Sequence, residues 1–301
     1  MKPEAIQKLA TLETLMRSPI YWDGEERGEL NVLDLLIAEN FVTPTDPKFA
    51  IYDWECLEER GCIIEEYNPG DRDNVLDEAT QELRETIYRE VLDILKSELT
   101  EVVGLEFSCK KRKDYFDYSE GLFSFYAILG KTKNHDWICV MPTLPREVTF
   151  YFEDYLEEEY LENELVLPSQ DSETHAKTLA LCDRLQKTLD RLPVISIYGY
   201  YGGGYDYRYN HRILCEASSN RSTAFQNALI KAGALEIRAF ENINENLWNL
   251  KVAEFFNSDT FPYLFLYRIS LWDRDYIYVW GLASDVDWIG WQTGLDFEYN
   301  P

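Results

Sequence analysis

The sequence predicts an α+β fold made of two similar domains, each a mainly antiparallel sheet packed with helices. Strand pairs joined by short turns outnumber helices along the chain, and such pairs favour antiparallel sheets. The 301 residues are 46% hydrophobic and 15% aromatic, which is enough apolar surface for two cores of ordinary domain size. A stretch in the middle of the chain also matches a stretch at its end without a gap.

The matching stretches are residues 125–147 and 276–298, which align at a fixed offset of 151 (281 minus 130). The aligned identities are Gly130 with Gly281, Asp136 with Asp287, Trp137 with Trp288, Ile138 with Ile289, Leu144 with Leu295 and Glu147 with Glu298. Because this offset is half the chain length, we interpret the protein as two diverged copies of one domain, residues 1–150 and 174–301. Residues 151–173 are interpreted as an acidic segment that connects the copies and includes a helix.

Hydrophobic spacing predicts the elements of the first copy. A helix at 3–17 begins with Pro3, which suits the first helical position. The longest helix, 77–99, carries Leu83, Ile87 and Val91 on one apolar stripe. The other predicted elements are a hairpin or a strand and a short helix at 20–41, a helix at 54–60 ended by Gly61, and strands at 62–64, 102–109, 122–129 and 137–141.

The second copy repeats this order in a shorter form. Three glycines at 202–204 join two tyrosine-rich strands, 194–201 and 205–216, which is typical of a hairpin turn rather than a phosphate-binding loop. The other predicted elements are a helix at 174–192, a helix at 225–231 capped by Ser222 and ended by Gly233, a strand at 235–240, a helix at 242–257 and the closing strands from 263 onward.

The formal net charge is −26, of which −14 comes from residues 1–150 and −12 from residues 151–301. Such a charge repels nucleic acid and anionic lipid and attracts basic proteins, although high solubility alone would also explain it. The sequence has no apolar run long enough to span a membrane and no signal peptide, and its six cysteines are scattered. We therefore expect a cytoplasmic protein with reduced thiols and no direct contact with membrane or nucleic acid.

The sequence contains no motif typical of a catalytic, cofactor-binding or metal site. His211 and Cys215 are four residues apart on one predicted strand and would therefore share a face. A catalytic nucleophile also needs a third group that orients its base, and nothing in the sequence marks that group. We expect no cofactor and no enzymatic activity.

A row of tyrosines is the most distinctive candidate surface. Tyr205, Tyr207 and Tyr209 alternate along a predicted strand and therefore point to one face. An exposed row would form a contact surface, whereas a buried row would be ordinary aromatic packing. Both interpretations stay open.

The closing part of each copy resembles the nuclease A inhibitor family. A helix such as residues 89–99 leads into a hairpin such as 266–281, and a turn then leads into a strand such as 287–293 with a glutamate near its end. The resemblance implies an α-β-α sandwich and an acidic cytoplasmic protein that plugs the basic active-site cleft of a sugar-nonspecific, metal-dependent nuclease.

The resulting hypothesis is a non-enzymatic module that binds a basic protein partner, possibly a nuclease. The candidate partner-binding residues are Asp287, Trp288, Thr293, Glu298, Tyr205, Tyr207 and Tyr209. A scaffold protein that kept the fold but lost nuclease inhibition is the main alternative, since one fold serves many functions. An enzyme with a deep pocket that holds His211 or paired carboxylates is the third possibility.

Overall fold

The fold is α+β, as predicted, with antiparallel sheets packed against helices. The computed structural model describes residues 1–64, 76–108, 124–144, 164–165, 173–201, 205–239, 250–271 and 274–296. Predictions for the connecting segment fall almost wholly outside these residues, as does the first half, 242–249, of the helix predicted at 242–257.

The described helices are α1 (Pro3–Leu15), α2 (Gly24–Arg27), α3 (Val32–Ala38), α4 (Pro47–Ile64), α5 (Glu78–Glu98), α6 (Ala176–Leu189), α7 (Arg221–Ala232) and α8 (Leu250–Phe255). The helices predicted at 3–17, 77–99 and 174–192 are confirmed within a few residues as α1, α5 and α6. Helix α5 begins as its sequence predicts, because the Asp77 carboxylate accepts a hydrogen bond from the Thr80 amide at 2.8 Å.

Two helix predictions are wrong in detail. Helix α4 continues through Gly61 to Ile64, so the strand predicted at 62–64 does not form. A single glycine lowers helix stability by only about 1 kcal/mol. Packing of the helix face that carries the buried Ala50 and Trp54 outweighs this loss. Helix α7 is capped by Asn220 rather than Ser222, and it ends at Gly233 in the left-handed conformation (φ 86°) as predicted.

The described strands are β1 (Ile20–Trp22), β2 (Val42–Thr45), β3 (Leu99–Ser108), β4 (Ser124–Thr132), β5 (Trp137–Pro142), β6 (Glu164–Leu165), β7 (Ile195–Tyr201), β8 (Tyr205–His211), β9 (Ile213–Ser218), β10 (Leu235–Ala239), β11 (Leu264–Leu271), β12 (Arg274–Leu282) and β13 (Trp288–Asp296). They form a six-stranded sheet, β1-β13-β12-β11-β10-β6, a five-stranded sheet, β2-β3-β4-β5-β9, and the separate hairpin β7-β8. All pairings are antiparallel.

The chain divides into two compact units, and each unit combines segments from both halves of the sequence. The first unit holds the described residues in the ranges 1–31, 164–165, 235–239, 250–271 and 274–296. The second holds those in 32–64, 76–108, 124–144, 173–201 and 205–234. These units therefore differ from the contiguous domains 1–150 and 174–301 that the repeat suggests.

The first unit is built on the six-stranded sheet. Leu12 of α1, Val252 of α8 and Phe256 directly after α8 contribute to a core that covers one face of the sheet. Strand β1 pairs with β13, so that Tyr21 lies opposite Ile289. Residues from the start of the chain therefore complete a sheet whose other strands come from its second half.

The second unit is a three-layer arrangement of helices, sheet and helices. Helices α4, α5 and α6 pack on one face around Trp54, Val91 and Leu185. On the other face Phe225 of α7 stacks on Phe107, with ring centroids 5.8 Å apart. Strand β9, from the second half of the chain, pairs with β5 at the sheet edge.

Within the two meanders β3-β4-β5 and β11-β12-β13, the strand pairs β4-β5 and β12-β13 share one register at the offset of 151 (281 minus 130). Gly130 pairs with Ile138, and Gly281 pairs with Ile289. Both glycines lie under a close side chain, because an added Cβ would lie 2.3 Å from Leu99 Cδ1 or 2.6 Å from Phe261 Cδ1. The shared glycine is therefore a packing requirement in both meanders.

The discontinuous units predict that fragment 174–301 does not fold by itself. It lacks α1 and β1, and losing the burial of Leu12 and its neighbours costs on the order of 5 kcal/mol, comparable with the stability of a whole domain. We expect a poorly folded fragment by circular dichroism, and recovery of a cooperative thermal transition when it is co-expressed with fragment 1–173. A fragment 174–301 that unfolds cooperatively by itself, at the temperature of the intact chain, would show instead that the halves are independent domains.

Candidate functional site

Asp287, one of the predicted partner-binding residues, is fully buried in the first unit. Its Oδ2 accepts hydrogen bonds from the Lys2 amide at 2.6 Å and the Ser284 hydroxyl at 3.0 Å, and its Oδ1 accepts one from the Gly24 amide at 3.0 Å. The carboxylate thus joins the beginnings of α1 and α2 to the turn between β12 and β13. Its hydrogen bonds are internal, and none of its surface is available to a partner.

Asp136, the residue aligned with Asp287, has the corresponding role in the second unit. Its turn closes with a hydrogen bond from the Thr132 amide to the Asp136 carbonyl at 2.7 Å, and the Ala283 amide donates to the Asp287 carbonyl at 2.8 Å. The Asp136 carboxylate accepts from the His175 amide at 2.9 Å, immediately before α6. Each repeated aspartate therefore fixes the start of a helix.

The other candidate residues in the closing strands do not form one surface. Trp288 is half-buried opposite Trp22, and its ring lies 5.9 Å from that of Phe265. Thr293 is half-buried opposite Ile277. These two β13 residues are five positions apart and so point to opposite faces of the sheet. Glu298 lies outside the described residues.

The tyrosine row lies on the hairpin of the second unit. Tyr205, Tyr207 and Tyr209 alternate along β8, opposite positions of β7. The predicted antiparallel pairing of the two strands is confirmed, and the glycine turn at 202–204 lies outside the described residues. The proposed contact role of the tyrosines stays a prediction. The candidate residues Asp287, Trp288 and Thr293 belong to the other unit.

The second unit contains a buried polar cluster of Glu58, Arg84, Tyr88 and His211, each at most 3% exposed. Arg84 donates from Nε to Glu58 Oε2 at 2.6 Å, and its Nη2 also donates to Glu58 Oε1. Arg84 Nη1 donates to the Pro193 carbonyl at 2.6 Å. The Tyr88 hydroxyl donates to Glu58 Oε1 at 2.5 Å, and His211 Nε2 lies 3.3 Å from that oxygen.

Local sequence places these groups together. Glu58 follows Trp54 by one turn on the buried face of α4, and Arg84 and Tyr88 are one turn apart on the buried face of α5. His211 is the last residue of β8. The cluster therefore connects two helices, the end of the hairpin and the segment just before β7.

The charges in this cluster compensate each other. Burial alone would raise the pKa of Glu58, but the contacts with His211 and Arg84 lower it below its ordinary value. Burial opposes the charge of Arg84, yet its hydrogen bond and attraction to Glu58 raise the guanidinium pKa. Burial, with the nearby Glu58 charge, raises the pKa of Tyr88 well above its ordinary value. Glu58 is therefore an anion that accepts from a cation and a neutral phenol.

The arrangement is suited to holding the second unit together. Glu58, Arg84 and Tyr88 hydrogen-bond to one another, and the four side chains are enclosed, so a substrate would not reach them. His211 and Cys215 also lie on different strands, because the strand conformation is interrupted at Arg212. Strand β8 pairs with β7, whereas β9 pairs with β5. The expectation that they share a face of one strand is wrong.

Sequence reasoning missed Glu58, Arg84 and Tyr88. The predicted stripe of α5 included Leu83, which is 41% exposed, and omitted Arg84, which is 3% exposed. Spacing does contain a signal, since Arg84, Tyr88 and Val91 follow one another at four and three residues. Arginine is rarely buried in a protein core without a partner. The partner of Arg84 is Glu58, which lies 26 residues away on another helix.

Other chemical features of the described residues are few. Within the described ranges, no group of three or more His, Cys, Asp and Glu residues is placed to hold a metal ion. No helix of the described part is long and apolar enough to cross a membrane. The chain matches no protein-family model, no curated protein and no solved structure.

The buried ion pair predicts a large effect of Glu58→Gln. It would leave the Arg84 charge buried without its partner, at a cost of about 3–5 kcal/mol in the free energy of unfolding. The exposed Glu85→Gln on the same helix serves as control and should change stability by about 0.5 kcal/mol or less. Chemical denaturation measures both, and equal stabilities of the two variants would contradict this role of the pair.

The lowered pKa of Glu58 predicts a contribution to stability that depends on pH. The unfolded chain takes up a proton near pH 4.5, the ordinary value, while the folded protein resists protonation to lower pH. The contribution is therefore present above pH 4.5 and is lost as the pH falls through the folded pKa. The stability difference between wild type and Glu58→Gln should shrink as denaturation is repeated from pH 6 to about pH 3. A difference that stays constant over this range would refute the assignment.

Proposed function

We propose that the protein is a non-enzymatic acidic module that binds a basic protein partner. The observation that carries the proposal is how α5 distributes its charge. Glu78, Glu82 and Glu85 are exposed at positions one helical turn apart, and within the described structure none of them takes part in an ion pair. The net charge of −26 extends the same bias over the whole chain.

One basic residue of α5 is directed inward. Arg84 is the one basic residue between Asp77 and Tyr88, and its guanidinium binds Glu58 inside the unit. The first three turns of α5 therefore present carboxylates to solvent and keep their positive charge in the core. A surface of this kind attracts a basic partner, speeds the encounter and weakens as salt is added.

The resemblance of the closing strands to nuclease A inhibitors supports one class of partner. A sugar-nonspecific, metal-dependent nuclease has a basic cleft for nucleic acid, and an acidic protein complements that cleft electrostatically. In this proposal the protein acts in the cytoplasm as an inhibitor, without a cofactor and without binding nucleic acid itself.

The proposal includes an origin by duplication, with residues 151–173 as the acidic connection between the copies. The equal registers of the strand pairs β4-β5 and β12-β13 and the matched roles of Asp136 and Asp287 support this origin. The two units would then descend from one inhibitor-like domain whose copies exchanged their first helix and strand.

A nuclease assay with charge-reversed variants tests the proposal. The intact chain at micromolar concentration should inhibit a sugar-nonspecific nuclease, and added salt should weaken inhibition. The variant E82K/E85K should weaken it by about tenfold, a loss of roughly 1.4 kcal/mol in binding. The variant E4K/E13K on α1 changes the net charge equally and is the matched control, because both residues are exposed and unpaired within the described structure.

Three results would decide between the candidates. A selective effect of E82K/E85K supports α5 as a contact surface. Equal effects of both variants mean that net charge acts without a localised surface. If nuclease activity is unchanged and no basic protein is retained at low salt, the inhibitor proposal fails and a scaffold role becomes the better hypothesis.

A further inference from the structure

Two cysteine sulfurs of the second unit lie close together without a bond. Cys182 Sγ on α6 and Cys215 Sγ on β9 are 3.2 Å apart. Both cysteines are free thiols; Cys182 is partly exposed, and Cys215 is buried. A disulfide bond is about 2.05 Å long, so the sulfurs need to approach by only about 1 Å.

The backbone around the pair is held by Gln186, one turn after Cys182 on α6. Its Oε1 accepts a hydrogen bond from the Cys215 amide at 2.8 Å, and its Nε2 donates to the Ile213 carbonyl at 3.3 Å. Leu185, also on α6, belongs to the same apolar core as Ile213 and Cys215. The helix and the strand are therefore held in register at the point where the two thiols meet.

We infer that Cys182 and Cys215 form a reversible disulfide, which makes this pair a site of oxidative modification. The oxidant is a low-molecular-weight disulfide such as oxidised glutathione. The Cys182 thiolate attacks one of its sulfurs, which forms a mixed disulfide and releases one thiolate. Cys215 then attacks Cys182 Sγ, releases the second small thiol and passes its proton to that leaving group, so the external disulfide is reduced to two thiols.

The different environments of the two thiols define the order of these steps. Cys182 meets the oxidant because it is the partly exposed member. The hydrogen bond with Cys182, together with burial, raises the pKa of Cys215 well above its ordinary value, so Cys215 remains a thiol until the mixed disulfide forms beside it.

The bond would close a loop that contains the hairpin β7-β8. Residues 182–215 include the strand that carries the tyrosine row and ends at His211, a member of the buried cluster. Closing this loop restricts the unfolded chain and stabilises the folded unit. Oxidation would therefore raise the free energy of unfolding of the unit that contains the hairpin.

The test uses the full chain, reduced, freed of reductant and exposed to rising ratios of oxidised to reduced glutathione. After alkylation, peptide mapping should show Cys182 linked to Cys215, with two of the six thiols lost. The melting temperature should rise by about 5 °C and return to its initial value after reduction with dithiothreitol.

Serine variants provide the controls. Cys182→Ser should abolish both the linked peptide and the thermal shift. Cys139→Ser should retain both, since Cys139 pairs with Glu216 and so faces the other side of the sheet from Cys215. A stable glutathione adduct at Cys182 without the internal bond, or linkage to a different cysteine, would overturn the inference.

Discussion

The architecture depends on one kind of hydrogen bond, in which a buried carboxylate at the last turn of each meander accepts from a backbone amide at the start of a helix. Asp287 accepts from the amide of Lys2, and Asp136 accepts from the amide of His175. Backbone amides at a helix start lack partners within the helix, so a carboxylate there is strongly favourable, and leaving it buried alone would be costly. Each aspartate thereby fixes a helix from the opposite half of the chain to its own sheet. The edge strands β1 and β9 follow these helices into the same two sheets.

The same helix can serve stability on one face and binding on the other. Helix α5 directs Arg84 into the core, where Glu58 and Tyr88 compensate it, and directs Glu82 and Glu85 to solvent. Burying an ion pair gives little net stability but makes each partner indispensable once it is present. With Arg84 directed inward, the exposed face of the first three turns carries Glu82 and Glu85 without that cation, so the stability of the second unit is coupled to the charge pattern proposed to attract a partner.

The segment from α6 to β9 concentrates much of the distinctive chemistry of the second unit. It contains the hairpin, His211 and the neighbouring thiols of Cys182 and Cys215. Its two ends are held by the Asp136 contact and by pairing of β9 with β5. Because the segment is anchored at both ends, a bond between its first helix and its last strand would act on the hairpin between them.

The sequence by itself determined the α+β class, the bounds of α1, α5 and α6 within a few residues, and the equivalence of the strand pairs β4-β5 and β12-β13. These features depend on apolar spacing, capping residues and turns, which are local. Only the tertiary structure decided that β1 joins β13, that Asp287 is an internal helix anchor, and that Arg84 rather than Leu83 is buried. These outcomes depend on pairing between residues far apart in the chain, so neither hydrophobic periodicity nor the internal repeat could reveal them.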